Sequence, residues 1–238
     1  MKKKILFIHH STGGLLLFFG RVRKLLKEKL PDIEFWDHGY NLYLPKILAP
    51  IFGPITFKTG LSDQNGKITG KDFEINISNN SPKEYAEIFS RKPDDYTLKN
   101  ILSFDVVIFK NCFPTSKIET QEKLEEHKKY YAQIINSLSV YKNKFIIFTP
   151  PPLRREMTKP EWAANTRSLS NFINEEVKKY PNISTFDFFD LLTDKEGKNK
   201  NMLKREYCHL IPVDSHPNIR ANREVGKKFI NFLRKRII

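Results

Sequence analysis

The chain has 238 residues, with 41 Lys+Arg against 27 Asp+Glu and a formal charge of +14. That length suits one large α/β domain spanning 1–238, and 39% hydrophobic residues with 19 Phe can fill a substantial core. The basic residues are scattered except for short runs at 2–4 and 234–236, so the excess reads as solvated faces and no nucleic-acid partner is expected.

Residues 3–9 are an apolar run that predicts a first strand. The start, Met1-Lys2-Lys3-Lys4 followed by apolar residues, imitates a secretory leader. His9, His10, Ser11 and Thr12 interrupt it, however, and no small-residue cleavage site follows. A buried strand and a cytoplasmic location are therefore expected. No stretch of about 18 uninterrupted apolar residues exists, so no membrane span is expected. Ser11-Thr12-Gly13-Gly14 reads as a loop, and residues 14–29 as a helix stopped by Pro31. Ile33-Glu34-Phe35-Trp36 predicts a second strand that ends at Asp37-His38-Gly39.

Residues 40–80 differ from the rest. They hold Pro45, Pro50, Pro54 and several glycines with aromatics between, and predict a long loop insertion over the strand edge, with a short hairpin around Asn65-Gly66. Ser81-Pro82 reads as a helix start, and residues 94–102 as a short helix. Asp105-Val106-Val107-Ile108-Phe109 is a third strand, leading into Lys110-Asn111-Cys112-Phe113-Pro114. A long helix over 118–139, a strand over 144–148 and a helix over 159–179 follow. A less regular strand over 183–189, a polar connection over 190–215 and a closing helix over 219–236 complete the chain. The alternation predicts a three-layer α/β/α sandwich, flavodoxin-like, with a parallel sheet in the order 2-1-3-4-5. Cys112 and Cys208 make no disulfide framework, and the absence of a CxxC leans to a reducing compartment. No oligomeric state is assigned.

In open α/β sheets, ligands bind beyond the carboxyl ends of the strands. Four polar clusters fall at that edge: His9-His10-Ser11-Thr12, Asp37-His38-Gly39, Lys110-Asn111 and the run from Pro212 to Asn218. Acyl transfer needs a hydroxyl, a base, a group that orients the base, and N–H donors for the oxyanion. Ser11 is the candidate nucleophile, His216 the base and Asp214 its orienting group. The Ser11 and Gly39 N–H groups and the Asn111 amide are the candidate oxyanion donors. Thr12, Lys110 and Arg154 are candidate substrate contacts. Adjacent strand residues face opposite ways, so His9 and His10 suggest no metal.

This arrangement resembles the SGNH (GDSL-type) hydrolases. Ser11 after the first strand, Gly39 after the second, Asn111 after the third, and Asp214 with His216 before the last helix match that family in order and place. The resemblance implies an esterase acting on an O-acyl carbohydrate or a small acyl ester, with no metal or organic cofactor. This sequence departs from the family in three places. His9-His10 stands where Gly-Asp precedes the serine. Phe109-Lys110-Asn111-Cys112 replaces Gly-x-Asn-Asp, and the terminal pair is spaced D-x-H instead of D-x-x-H. Some SGNH-like polysaccharide O-acetyltransferases share D-x-H, and Asp37 is the alternative carboxylate.

Each residue also has a plainer role open to it. Ser11 can cap a helix, His216 can sit in a surface turn, Asn111 can close a turn, and Cys112 can fill the core. Two other functions stay open. One is an O-acyltransferase with the same triad. The other is a non-catalytic module that holds a polyanion, whose binding would weaken steeply with salt.

Overall fold

The computed structural model describes residues 2–40 and 59–237. Six strands, numbered in chain order, form one sheet: β1 (Lys3–His9), β2 (Ile33–Gly39), β3 (Gly60–Ser62), β4 (Val106–Phe109), β5 (Lys144–Phe148) and β6 (Ile183–Phe186). Their spatial order is β3-β2-β1-β4-β5-β6. All neighbours are parallel except β2 and β3, which pair antiparallel. The five parallel strands thus keep the predicted 2-1-3-4-5 order, and the short β3 extends the edge beside β2.

The helices are α1 (Ser11–Phe19), α2 (Val22–Lys29), α3 (Lys83–Phe89), α4 (Tyr96–Leu102), α5 (Gln121–Ser139), α6 (Pro160–Glu176), α7 (Phe188–Leu192) and α8 (Ile219–Ile237). They cover both sheet faces, as strands buried on both sides require. Successive side chains alternate across β1. Leu6 and Ile8 join a core under α3, α4, α5 and α6, while Ile5 and Phe7 join a second core under α1, α2 and α8.

The predicted helix over 14–29 is two helices. The chain turns at Gly20 and Arg21, and Arg21 has a left-handed φ of 52°. A side chain at Gly20 would place its Cβ 2.8 Å from the Asn222 carbonyl of α8, and one at Gly226 would lie 2.5 Å from the Gly20 carbonyl. The break lets α1 and α8 touch through backbone.

The expected strand over 183–189 is likewise shorter. Asp187 accepts from the Asp190 N–H and starts α7 before the strand can continue. That helix occupies the start of the region expected to be a polar connection.

In the segment expected to be an insertion, residues 41–58 lie outside the described residues. The hairpin near Asn65-Gly66 is present as a turn in which Gly66 N–H donates to the Asp63 carbonyl and Gly66 has φ 79°. Phe73, Ile75 and Ile77 then alternate into the core, so this part of the segment is structural covering as well as loop.

Candidate active site

Only His10 separates β1 from α1, so Ser11-Thr12-Gly13-Gly14, expected as a loop, is the first turn of the helix. His10 is the N-cap residue, and its carbonyl accepts from Gly13 N–H (2.9 Å) and Gly14 N–H (3.1 Å). Ser11 and Thr12 therefore present the first-turn N–H groups that no intrahelical carbonyl can reach, at the positive end of α1. Only glycine fits at Gly13, because a Cβ there would lie 2.4 Å from the Cβ of His9. This close approach seats Ser11 tightly above the sheet edge.

The loop before α8 returns to that edge. His216 Nε2 lies 2.7 Å from Ser11 Oγ, and His216 Nδ1 lies 2.5 Å from Asp214 Oδ1. The same Asp214 oxygen accepts the His216 backbone N–H at 2.9 Å. Burial alone would lower the His216 pKa. The Asp214 hydrogen bond and the neighbouring Cys112 outweigh it and raise the group to about 9. Burial would raise the Asp214 carboxyl, but its bond to His216 holds it below the usual carboxylate range. Phe113 packs edge-on against the imidazole at 4.9 Å between ring centroids. Asp37, the alternative carboxylate, is engaged elsewhere. It pairs with Arg23 of α2 and lies 3.2 Å from His9 Nε2.

At the end of β4 the expected oxyanion donor, Asn111, is already engaged by other groups. The Asn111 side-chain amide donates to the Ser81 carbonyl at 3.2 Å, and its oxygen faces the Tyr131 hydroxyl of α5. The next residue meets the nucleophile instead: Cys112 Sγ lies 3.2 Å from Ser11 Oγ and 2.9 Å from Thr12 Oγ1. Neighbouring side chains on an extended segment face opposite ways, so one position decides which of them reaches Ser11. Gly39 is the last residue of β2 and pairs with Gly60 of β3. It is Tyr40 N–H, one residue later, that turns to β1 and donates to the His9 carbonyl at 3.1 Å. Of the three expected oxyanion donors, the Ser11 N–H is the one the geometry favours.

The three expected substrate contacts also have other work. Thr12 is fully buried and accepts a hydrogen bond from Lys110 Nζ at 2.9 Å. Lys110 is buried too, with Nζ also donating to the Asn111 carbonyl at 2.8 Å, and burial lowers its pKa to about 8. Arg154 reaches under the loop that carries the histidine. Its Nη1 donates to the carbonyls of His209 and Ile211, and its backbone N–H donates to Ser215 Oγ at 3.1 Å. It is a staple for the Asp214–His216 turn.

Three residues near the site have no role assigned to them by the sequence. His10 Nδ1 lies 3.0 Å from Ser11 Oγ. Asn79, in a left-handed conformation, accepts from Cys112 N–H at 3.2 Å and from the Tyr40 hydroxyl at 2.8 Å. Cys112 is the third. Asn in a left-handed turn is a weak sequence signal, and the partners of Asn79 are set only by the fold. Among the described residues, no group of three or more His, Cys, Asp or Glu side chains is arranged to hold a metal ion.

No protein-family model matches the sequence, and no curated protein matches it. The fold is similar to that of a GDSL-like lipase from Bacteroides thetaiotaomicron, with a TM-score of 0.55 and 14% identity over 97% of this chain and 88% of that one. It is also similar to a lipase from a goat rumen metagenome, with a TM-score of 0.53 and 10% identity over 96% of each chain. A third similar structure is the native aryl esterase of M. smegmatis, with a TM-score of 0.52 and 11% identity over 99% of this chain and 100% of that one. The chain therefore has the three-layer α/β/α fold of the GDSL-type (SGNH) hydrolases.

Proposed function

We propose that this chain is a serine esterase or acylhydrolase that cleaves an O-acyl carbohydrate or a small acyl ester through an acyl-enzyme on Ser11. One observation carries the reading: Ser11 Oγ, His216 and Asp214 form a continuous hydrogen-bonded line at the N-terminus of α1, with links of 2.7 and 2.5 Å. Neutral His216 takes the Ser11 proton as Oγ attacks the ester carbonyl. Asp214 keeps the imidazole in the tautomer that accepts at Nε2 and stabilises the imidazolium that forms. The first-turn N–H groups of Ser11 and Thr12 face the developing oxyanion, helped by the helix dipole. The imidazolium returns its proton to the leaving alkoxide, and water repeats the sequence to free the acid. The fold similarity to lipases and an aryl esterase supports this reading.

The test is covalent. A fluorophosphonate probe followed by peptide mass spectrometry is expected to mark Ser11, and prior unfolding is expected to abolish the label. A folded, ester-hydrolysing protein that carries no adduct on Ser11 would refute the assignment. Asp214→Asn is expected to keep the fold and lower kcat on p-nitrophenyl acetate on the order of 10⁴-fold, the size seen when a triad loses its orienting carboxylate.

A further inference from the structure

Cys112 is the nucleophilic group at the site that the Ser11 mechanism leaves unused. It is a free thiol and 2% exposed. Its sulfur touches the nucleophile itself, 3.2 Å from Ser11 Oγ, so a carbonyl within reach of one is within reach of the other. Both His216 and His10 interact with the sulfur as well as with Ser11. On its other side is a chain of donors. Lys110 Nζ has only hydrogens to give, and it gives one to Thr12 Oγ1 at 2.9 Å. Thr12 Oγ1 lies 2.9 Å from Cys112 Sγ, and with its oxygen already accepting from Lys110 its hydroxyl hydrogen is free to serve a thiolate there. The sulfur is thus placed as an acceptor between a buried ammonium relay, two imidazoles and the positive end of α1.

We propose that Cys112 is a second catalytic nucleophile of this site, able to take the acyl group of an ester in place of Ser11 and using the same His216. This inference rests on the esterase reading. Burial alone would raise the thiol pKa; the bonds from His10 and His216 and the charge of Lys110 outweigh it and hold the thiol well below its ordinary range. By contrast, burial raises the other thiol, Cys208, which donates to the Lys204 carbonyl at 3.4 Å.

In the step proposed, the Cys112 thiolate adds to the ester carbonyl carbon, forming a C–S bond and an oxyanion. The intermediate collapses by breaking the C–O bond, and the leaving alkoxide takes its proton from the His216 imidazolium. Water then adds to the thioester while neutral His216 accepts its proton. The C–S bond breaks, and the products are the carboxylic acid, the alcohol and the regenerated thiolate.

The experiment uses p-nitrophenyl acetate with four proteins: wild type, Ser11→Ala, Cys112→Ala and the double variant. Thermal unfolding checks that each is folded. In Ser11→Ala, intact mass and peptide mapping after brief exposure at pH 7 are expected to find one acetyl group, on Cys112 and not on Cys208. The double variant is expected to show none. Absence of acetyl-Cys112 in a folded Ser11→Ala protein overturns the proposal.

A second measurement covers the case in which Ser11→Ala fails to fold. Wild-type protein treated with iodoacetamide at pH 7 is expected to be alkylated at Cys112 on the order of tenfold faster than at the more exposed Cys208. Alkylation of Cys208 first overturns the proposal. The two readings fail separately. Fluorophosphonate that marks Ser11 while Cys112 stays inert sinks only the second nucleophile. Acetylation of Cys112 without any Ser11 adduct sinks the serine assignment and leaves a cysteine enzyme.

Discussion

Asp214 and His216 are two positions apart, and their contact depends on a turn. Asp214 Oδ1 accepts both the backbone N–H and the ring Nδ1–H of His216, so one oxygen sets the backbone and the imidazole together. A side-chain carboxylate that accepts from the N–H two residues on is an Asx-turn, and it makes D-x-H a workable spacing. Arg154 holds this turn in place from below through loop carbonyls. Arg154→Met is expected to keep a folded protein and lower kcat about 10²-fold, the effect of a small displacement of a catalytic group, with little change in KM. A fall in KM-controlled binding with unchanged kcat would return Arg154 to substrate contact. The base also has a pH signature. An imidazole raised to about 9 is mostly charged at neutral pH, and only its neutral form can accept the Ser11 proton. Ester hydrolysis is therefore expected to climb with pH toward about 9 instead of levelling near 6.5. In Cys112→Ala the rise is expected to shift to lower pH, because the sulfur is one of the groups that favour the imidazolium.

Among the elements, α1 and α8 carry the geometry of the site. Ser11 opens α1, His216 lies three residues before α8, and the two helices meet where Gly20 and Gly226 face each other. Gly226→Ala puts a methyl 2.5 Å from the Gly20 carbonyl, a contact that backbone must move to relieve. Overpacking of this kind costs about 1–3 kcal/mol, so the midpoint of thermal unfolding is expected to fall by roughly 2–4 °C for each kcal/mol lost. Unchanged stability would show that the helices can separate without cost.

The strands, their order and most helices are legible in the sequence because local patterns set them: apolar runs, proline stops and the Ser81-Pro82 start before α3. Ser11, Asp214 and His216 are legible because each sits in a short polar string at a strand or helix end. Asn111 and Cys112 are not separable in sequence, since a one-residue difference decides which side chain faces Ser11. The break at Gly20 depends on α8, which lies some two hundred residues away in the chain. Asn79, Lys110 and Arg154 likewise act through long-range contacts that no local pattern encodes.

For the whole molecule, pH acts on stability from two sides through buried imidazoles. His127 of α5 is fully buried, neither ring nitrogen has a partner among the described residues, and burial, helped by the Lys123 charge, lowers its pKa to about 4. Burial also lowers His38 to about 4 against the pull of Asp72. Above pH 6.5 these groups are neutral in both the folded and unfolded chain and contribute nothing. As pH falls from 6.5 toward 4, the unfolded chain takes up protons that the folded chain refuses, so stability is lost across that window. His216 works in the opposite sense. Its folded value of about 9 lies above the ordinary one, so its contribution is complete below pH 6.5 and is lost as pH rises through 9. Stability is therefore expected to peak near pH 6.5, with the acid side steepened by the excess of 41 basic over 27 acidic residues as carboxylates neutralise. Urea unfolding at half-unit steps from pH 4 to 9.5 measures this directly. His127→Leu isolates one of these imidazoles, because among the described residues the ring makes no hydrogen bond for the replacement to remove. It is expected to leave stability at pH 7 equal or higher and to flatten the acid limb, by roughly 3 kcal/mol between pH 6.5 and 4. An acid limb as steep as that of the wild type would mean that His127 finds a way to charge inside the fold, and that the acid sensitivity belongs to the carboxylates alone.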